Sequence, residues 1–571
     1  MPYEFTASPY LLLIIIMEAI TFKTESGNSY LYSPARKVVI PIPQHADEGL
    51  LSDNFSNNDF LVILEKEGYL ENFDSDYSVR ISAKDIENSI RDVSQVVFEM
   101  TTACNLKCEY CCYSDGYTVF QKRRNGKLEF STAKVVLDSL VEIFKSKVAT
   151  GLRSEPFAIS FYGGEPLMNF PIIKEIVEYA ELLNFEGKEI VFTMTTNAVL
   201  IDKFADFLCK HKFRILISLD GNKKHDSYRK TVSGKESFDI VYKNLKYIQK
   251  NYPTLFSYIR FNAVYTNKSE ARDILNFFMT EFGKYPQFSQ LHKPDLAAKE
   301  VDKIKSMYKE IEIPYELCMQ KDLILESPIH KRIFEFCTKL SGHTYHDEGE
   351  LSNDIFRSNY PTGTCVPFSK RIFVTFEGNL FPCEKINRDI PWGYVDSSER
   401  LIINASTIAE RFNSMLDKYE RICSTCYLQQ CCTKCAFQSA DLNCDNKKSK
   451  EQFRKILSKI YSYIEKHPDI VNLLKENVVS WLSGLTAGSI VLSNLLGISL
   501  GSYLHQWGKG NIFEQYGRQH ITGSIFSWFT TSGQGNYYGL ASKGFFNHAN
   551  TVSAMSLMLT PIVLYFLRSE E

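Results

Sequence analysis

The sequence predicts an α/β protein built on a parallel sheet, and three observations lead there. Strand-like apolar runs alternate with helix-like segments through the first half of the chain. The polar residues able to do chemistry fall just after those runs, and the cysteines gather in spaced groups. Strict alternation of strand and helix makes βαβ units. Parallel α/β folds collect their ligands at the carboxyl ends of the strands, so residues far apart in sequence can meet in one site.

The elements follow in order. Residues 1–90 read as a small α+β module. Its apolar run from Tyr10 to Met17 has no basic segment before it and is closed by Glu18, so it reads as a core strand or helix and not as a signal peptide. Strand-like pieces follow at Tyr30–Tyr32 and Lys37–Ile40, then a helix-like stretch from Asp59 to Leu70. A domain over 91–345 holds strand-like runs at about 94–101, 157–162, 190–196, 214–220 and 258–265. Helix-like segments at about 131–147, 171–184, 201–212, 237–250 and 268–281 separate them. A cysteine-rich domain follows over 346–448, then a helical linker at 449–476 and an apolar Gly/Ser-rich region at 477–571.

The first cysteine group is Cys104-Asn-Leu-Lys-Cys108-Glu-Tyr110-Cys111. It supplies three thiolates, whereas a cubane iron–sulfur cluster has four irons to ligate. An iron without a protein ligand is open to substrate or cofactor, as in catalytic metal sites. From spacing alone a zinc knot competes. After the next strand comes Gly163-Gly164-Glu165-Pro166, where glycines permit close backbone approach and a carboxylate can accept from an ammonium group. Asn197 ends the following run, Ser218 and Asp220 the one after, and His225, Asp226 and Arg229 come next.

These four motifs, in this order, resemble the radical S-adenosylmethionine (SAM) family. The resemblance implies a partial (β/α)6 TIM-like barrel and a [4Fe-4S] cluster on Cys104, Cys108 and Cys111 that binds SAM. It further implies SAM contacts from Tyr110, Gly163, Gly164, Glu165, Asn197, Ser218 and Asp220, with Arg229 set either against the SAM carboxylate or in a surface ion pair.

The second cysteine region reads as a hairpin, Phe373 to Cys383 around Gly378, with Cys365 before it and Cys423, Cys426, Cys431, Cys432, Cys435 and Cys444 after it. Spacing alone also admits a zinc ribbon. The pattern resembles the SPASM domain, which carries up to two auxiliary [4Fe-4S] clusters. That resemblance implies Cys365, Cys383 and Cys435 for one cluster, and Cys423, Cys426, Cys431 and Cys444 for the other. The spacing departs from the family, so one of Cys431 and Cys432 is a spectator, as is Cys112. Cys337 or a substrate thiolate is the remaining candidate ligand. Cys209 and Cys318 read as buried small hydrophobes.

Composition excludes some classes. The 15 cysteines cluster as metal sites do and not as a secreted disulfide framework. With 65 basic and 67 acidic side chains, no global charge calls for nucleic acid. Val478 to Leu504 carries no charge and is long enough to span a bilayer, with a second apolar run at 551–567. Catalytic domains in the cytoplasm, attached through this tail to the inner face of a membrane, are the expectation.

The resemblance implies an enzyme that cleaves SAM to a 5′-deoxyadenosyl radical and modifies a peptide or protein substrate, with a reductant such as flavodoxin or ferredoxin. A thioether-forming peptide maturase is the leading expectation, and the amino-terminal module would recognise a leader peptide. An anaerobic sulfatase-maturing enzyme that makes formylglycine is the rival. A non-catalytic peptide-binding scaffold is the third reading.

Overall fold

The computed structural model describes residues 19–474, except 35–36, 43–58, 71–79, 114–116, 118–124, 146–155, 292–295, 297–299, 320–322, 325, 338–362, 430–431, 433, 439–441, 443 and 472. The expectations for residues 10–17 and for the apolar tail 477–571 lie outside the described residues.

Six strands run parallel and in sequence order across one sheet: β4 (Gln95–Thr101), β5 (Phe157–Gly163), β6 (Ile190–Thr196), β7 (Arg214–Ser218), β8 (Ile259–Tyr265) and β9 (Gln287–Gln290). Helices Phe130–Lys145, Phe170–Ala180, Ala205–Lys210, Phe238–Asn251 and Ala271–Phe282 connect them. The five strands and five helices read from periodicity are all present, with ends moved by a few residues. β7 stops at Ser218 and not at 220. β9 went unread because four residues with a single buried apolar side chain, Phe288, make too short a pattern.

Period-two alternation divides this sheet into two faces. Phe98, Phe161, Phe192, Ile215, Ile217 and Phe261 are buried on one face among the helices. Each such side chain contributes about 1.5–3 kcal/mol of burial. The opposite face is polar. Gln95 Nε2 donates to Ser160 Oγ at 2.7 Å, Ser160 Oγ meets Thr193 Oγ1 at 2.5 Å, and Ser289 Oγ donates to Asn262 Oδ1 at 2.6 Å. A fold stabilised through one apolar face leaves the other free for chemistry.

The hairpin read from the sequence is β10 (Ile372–Val374) and β11 (Asn379–Phe381), turning at Gly378 with φ +83°. It does not stand apart: β10 pairs in parallel with β4, and β12 (Gly393–Val395) and β13 (Leu401–Ile402) extend the edge antiparallel, giving ten strands in one open sheet. The long helix Ala405–Cys423 then returns to the amino-terminal side. It packs on helix Ala83–Arg91, where Arg80 pairs with Asp417 and Glu420 at 2.6 Å.

A second core joins the chain's distant ends. Strands β1 (Ile20–Lys23), β2 (Ser29–Ser33) and β3 (Val38–Pro41) form an antiparallel sheet whose Ile20, Phe22 and Tyr32 pack with Phe453, Leu457 and Ile460. The segment 449–476, read as a helical linker, is helical over Asn446–Lys466, and that helix is packed into this second core. Ser462 accepts from the Glu25 N–H at 2.9 Å, and Glu465 accepts from Tyr30 at 2.8 Å.

Candidate active site

The three-cysteine loop leaves the carboxyl end of β4 and is held by backbone on two sides. Lys107 N–H donates to Lys230 O at 2.6 Å and Glu109 N–H to Tyr228 O at 3.0 Å, which fixes the loop to the segment after β7. On the other side Gly164 N–H donates to Thr101 O at 2.7 Å and Glu165 N–H to Ala103 O at 2.9 Å. A Cβ at Gly163 would lie 2.3 Å from Thr101 O, and one at Gly164 2.1 Å from Ala103 O, so only glycine fits at either position. The double glycine thus seats the cysteine loop on β5.

Glu165 is fully buried. Its carboxylate accepts from Leu167 N–H at 3.1 Å, Thr196 Oγ1 at 2.7 Å and Asn197 N–H at 2.9 Å. Burial raises its carboxyl to about 7, against those three donors. Asn197 in turn reaches Cys104 Sγ at 3.7 Å and Asn105 Oδ1 at 2.8 Å, and Leu106 N–H donates to Cys104 Sγ at 3.4 Å. Such donors stabilise a thiolate ligand. Burial pushes the Cys108 thiol up to about 12, with Arg229 pulling the other way.

Arg229 is no surface ion pair. It is buried, 2.8 Å from Asp220 Oδ1 and 3.4 Å from Asp226 Oδ1. Asp220 also accepts from Val264 N–H at 2.9 Å and from the Tyr110 hydroxyl. Tyr110 and Asp220, taken from the sequence as SAM contacts, are bonded to each other, with the Arg229 guanidinium 5.5 Å from the Tyr110 ring centroid. Burial works against the Arg229 charge, yet Asp220, Tyr110 and Cys108 raise its pKa well above normal. Ser218 lies across from Asn262 on the polar face.

A second buried group went unread. Glu99, in the middle of β4, is fully buried and accepts from Arg388 Nη1 at 2.8 Å and from Tyr113 OH at 2.9 Å. Arg388 follows the hairpin, so this bond ties the cysteine-rich region to the first loop. The sequence did hold a signal. A glutamate inside the apolar run Val96-Val-Phe-Glu99-Met must find a partner if that run is buried. Cys112 lies here too: its thiol bonds to Cys111, and Arg388 acts on it electrostatically.

The later cysteines form two groups. Cys435 interacts electrostatically with Cys365 and with Cys383, and Lys385 N–H donates to Cys383 Sγ at 3.2 Å. Cys426 interacts with Cys432 and Cys444. Cys432, one of the two candidates read from the sequence, lies with this pair; Cys431 lies outside the described residues. Cys423 is buried at the end of its helix, Cys337 packs in the second core beside Tyr461, Cys318 is buried and Cys209 packs partly buried on the main core. Among the described residues, no group of three or more His, Cys, Asp and Glu side chains is set to hold a metal ion. The donors at the first loop, three thiols with two N–H groups aimed at the sulfur of Cys104, suit an iron–sulfur cluster in kind.

An α/β sheet with a three-cysteine loop at its strand ends defines a class, and comparison gives that class a family. Residues 98–278 match the family model of the Radical SAM superfamily. Residues 451–571 match a second family, described as O-antigen ligase like membrane protein. The described start of that stretch is the helix packed on β1 and β2; no helix among the described residues is long and apolar enough to cross a membrane.

An uncharacterized protein of Methanocaldococcus jannaschii is 31% identical over 194 residues, 34% of this chain and 58% of that one. A cysteine-type anaerobic sulfatase-maturating enzyme of Clostridium novyi is 24% identical over 58% of this chain and 81% of its own length. The radical SAM cyclopropyl synthase of Paramaledivibacter caminithermalis is 23% identical over 40% and 45%. The chain thus spans less than two thirds of two of these three relatives.

Proposed function

We propose that the chain is a radical SAM maturase that oxidatively modifies a ribosomally made peptide, joining a cysteine sulfur to carbon as a thioether. One observation carries this reading. The first cysteine loop leaves the carboxyl end of β4 while Cys365 and Cys383, with Cys435, flank the amino end of its parallel neighbour β10, so the two groups border opposite ends of one polar sheet face. Arg388 and Tyr162 lie on that face, and Tyr162 feels the charge of Cys112, Glu384 and Cys111. A [4Fe-4S] cluster on Cys104, Cys108 and Cys111 would supply one-electron cleavage of SAM to a 5′-deoxyadenosyl radical. Asn197 and Leu106 would tune that site through Cys104, and Tyr110, Asp220 and Arg229 would fix its far wall. Gly163 and Gly164 would keep loop and strand in register, and Ser218 would face the bound cofactor from β7.

Cys365, Cys383 and Cys435 would hold an auxiliary cluster of the SPASM kind, leaving one position to another thiolate. A peptide cysteine is the donor that a thioether product requires. Cys423, Cys426, Cys432 and Cys444 would hold the other. Among the described residues β3 is paired on one side only, an edge where a leader peptide can add a strand. The match of 451–571 to a membrane protein family supports anchoring through the tail; a requirement for detergent by the full chain, absent when it ends after Leu474 with the packed helix Asn446–Lys466 retained, tests that point.

The decisive assay incubates the reduced, cluster-loaded protein with SAM and the precursor peptide encoded beside it. Each thioether lowers the peptide mass by about two hydrogens and removes one alkylatable thiol, a change that thiol reductant does not reverse. The likeness to sulfatase-maturating enzymes supports a second reading, formylglycine formation. In that case the product loses its sulfur. An unmodified precursor alongside cleaved SAM would remove both substrate readings.

A further inference from the structure

The side of the cysteine loop turned away from Arg388 carries an excess of positive charge. Glu109, next to Cys108, meets Lys230 Nζ at 2.8 Å and Lys303 Nζ at 3.7 Å. The charge of Lys268 also acts on that carboxylate. Lys268 Nζ bonds Ser227 Oγ at 2.8 Å and sits 3.9 Å over the Tyr228 ring. Lys107 is exposed on the same loop, its backbone paired to Lys230. Three ammonium groups thus act on Glu109, with Glu236 a second carboxylate felt by Lys230 and Lys107 exposed on the same loop, in a chain whose formal net charge is −2. The fold does not need that excess, since Lys107 and Lys303 are exposed. Directly beneath, Tyr110, Ile304 and Met307 pack with Cys108 and Tyr228.

We propose that this lysine rim is the docking surface for an acidic one-electron carrier protein. The inference rests on the radical SAM reading. Cleavage takes one electron per SAM: the sulfonium–C5′ bond breaks, neutral methionine leaves, the 5′-deoxyadenosyl radical remains, and the carrier is oxidised by one electron. No proton moves. Two features favour a carrier over the peptide. The rim lies outside Cys108, whereas the polar ground between the two cysteine groups lies on the Cys111 and Tyr113 side. Charge attraction across a wet surface also speeds encounter without slowing release, which suits a partner that must leave after each electron.

The test is titration of the cluster-loaded full chain with an acidic flavodoxin, read by flavin fluorescence at low salt and at about 0.3 M salt, where surface charges are screened. Wild-type binding should weaken about tenfold or more with salt. The double variant Lys107→Glu, Lys303→Glu should weaken low-salt binding by about tenfold or more, and Lys107→Gln, Lys303→Gln by less. Flavodoxin-driven SAM cleavage should fall in step, while dithionite-driven cleavage and the circular dichroism spectrum stay at wild-type values. Flavodoxin binding that ignores charge reversal overturns the proposal, as does reversal that weakens precursor-peptide binding instead. Absence of dithionite-driven cleavage in the wild type would refute the radical SAM reading itself. The binding titration needs no turnover and separates the two failures.

Discussion

Tyr110 and Tyr113 flank Cys111, and each heads a buried triad of tyrosine, carboxylate and arginine. Tyr110 donates to Asp220, which pairs with Arg229 at 2.8 Å, and the guanidinium lies 5.5 Å from the tyrosine ring. Tyr113 donates to Glu99, which pairs with Arg388 at 2.8 Å, with the guanidinium 5.7 Å from its ring. The difference is reach. Asp220 and Arg229 are nine residues apart, Glu99 and Arg388 are 289 apart. The first triad lies within the parallel sheet's own carboxyl end. The second pins the post-hairpin segment to the cysteine loop. A buried ion pair adds little net stability over an apolar replacement, but losing one partner is expensive. The two triads are therefore better understood as fixing geometry, one within a domain and one between two cysteine regions.

The largest effect should come from breaking the local triad. Asp220→Ala leaves Arg229 buried with only Asp226 at 3.4 Å and should cost about 3–5 kcal/mol, read by chemical denaturation. An effect below about 1 kcal/mol would mean that the triad is solvated and not buried.

Next comes Glu165, which sits between the two triads and belongs to neither. Its carboxyl titrates at about 7 when folded, above an ordinary value of 4.5. The folded state therefore holds this proton while the unfolded state has lost it. Its stabilising effect is complete below about 4.5 and disappears as pH rises through about 7, a change of about 3 kcal/mol. Thermal unfolding between about pH 4.5 and 8 should show that decline, and Glu165→Gln should flatten it.

The long-range triad should respond differently. Arg388→Met keeps packing on Phe373 and Tyr113 but leaves Glu99 with the Tyr113 hydroxyl alone, at about 2–3 kcal/mol. Amide exchange should accelerate over 372–395 while 190–265 stays protected. Uniform acceleration across both would show that the triad supports the whole sheet and not the junction. The smallest effects belong to Tyr110→Phe and Tyr113→Phe, each removing one bond to a charged acceptor, at about 1–2 kcal/mol. If the triads act separately, the double variant should be additive.

Much of the parallel sheet was legible before any coordinates. The strands at 157–163, 190–196 and 259–265 announce themselves because helix and strand periodicities are local properties of the chain. The cysteine loop and double glycine are legible for the same reason: ligand spacing and a glycine requirement act over a few residues. Glu165 and Arg229 were located by sequence, but their surroundings were not. Each is buried against residues of other motifs, Glu165 against Asn197 and Arg229 against Asp220, pairings that spacing along the chain does not give.

What the sequence alone determined is thus the order of elements, the two cysteine-rich regions and the motif residues at the strand ends. Only tertiary structure decided that β10 would pair with β4, that Arg388 would find Glu99, and that Cys432 would stand with Cys426 and Cys444. It also decided that the helix Asn446–Lys466 would close the amino-terminal sheet. Contacts of that kind join residues hundreds of positions apart, and they form only where burial of a common core outweighs the entropy of closing so long a loop.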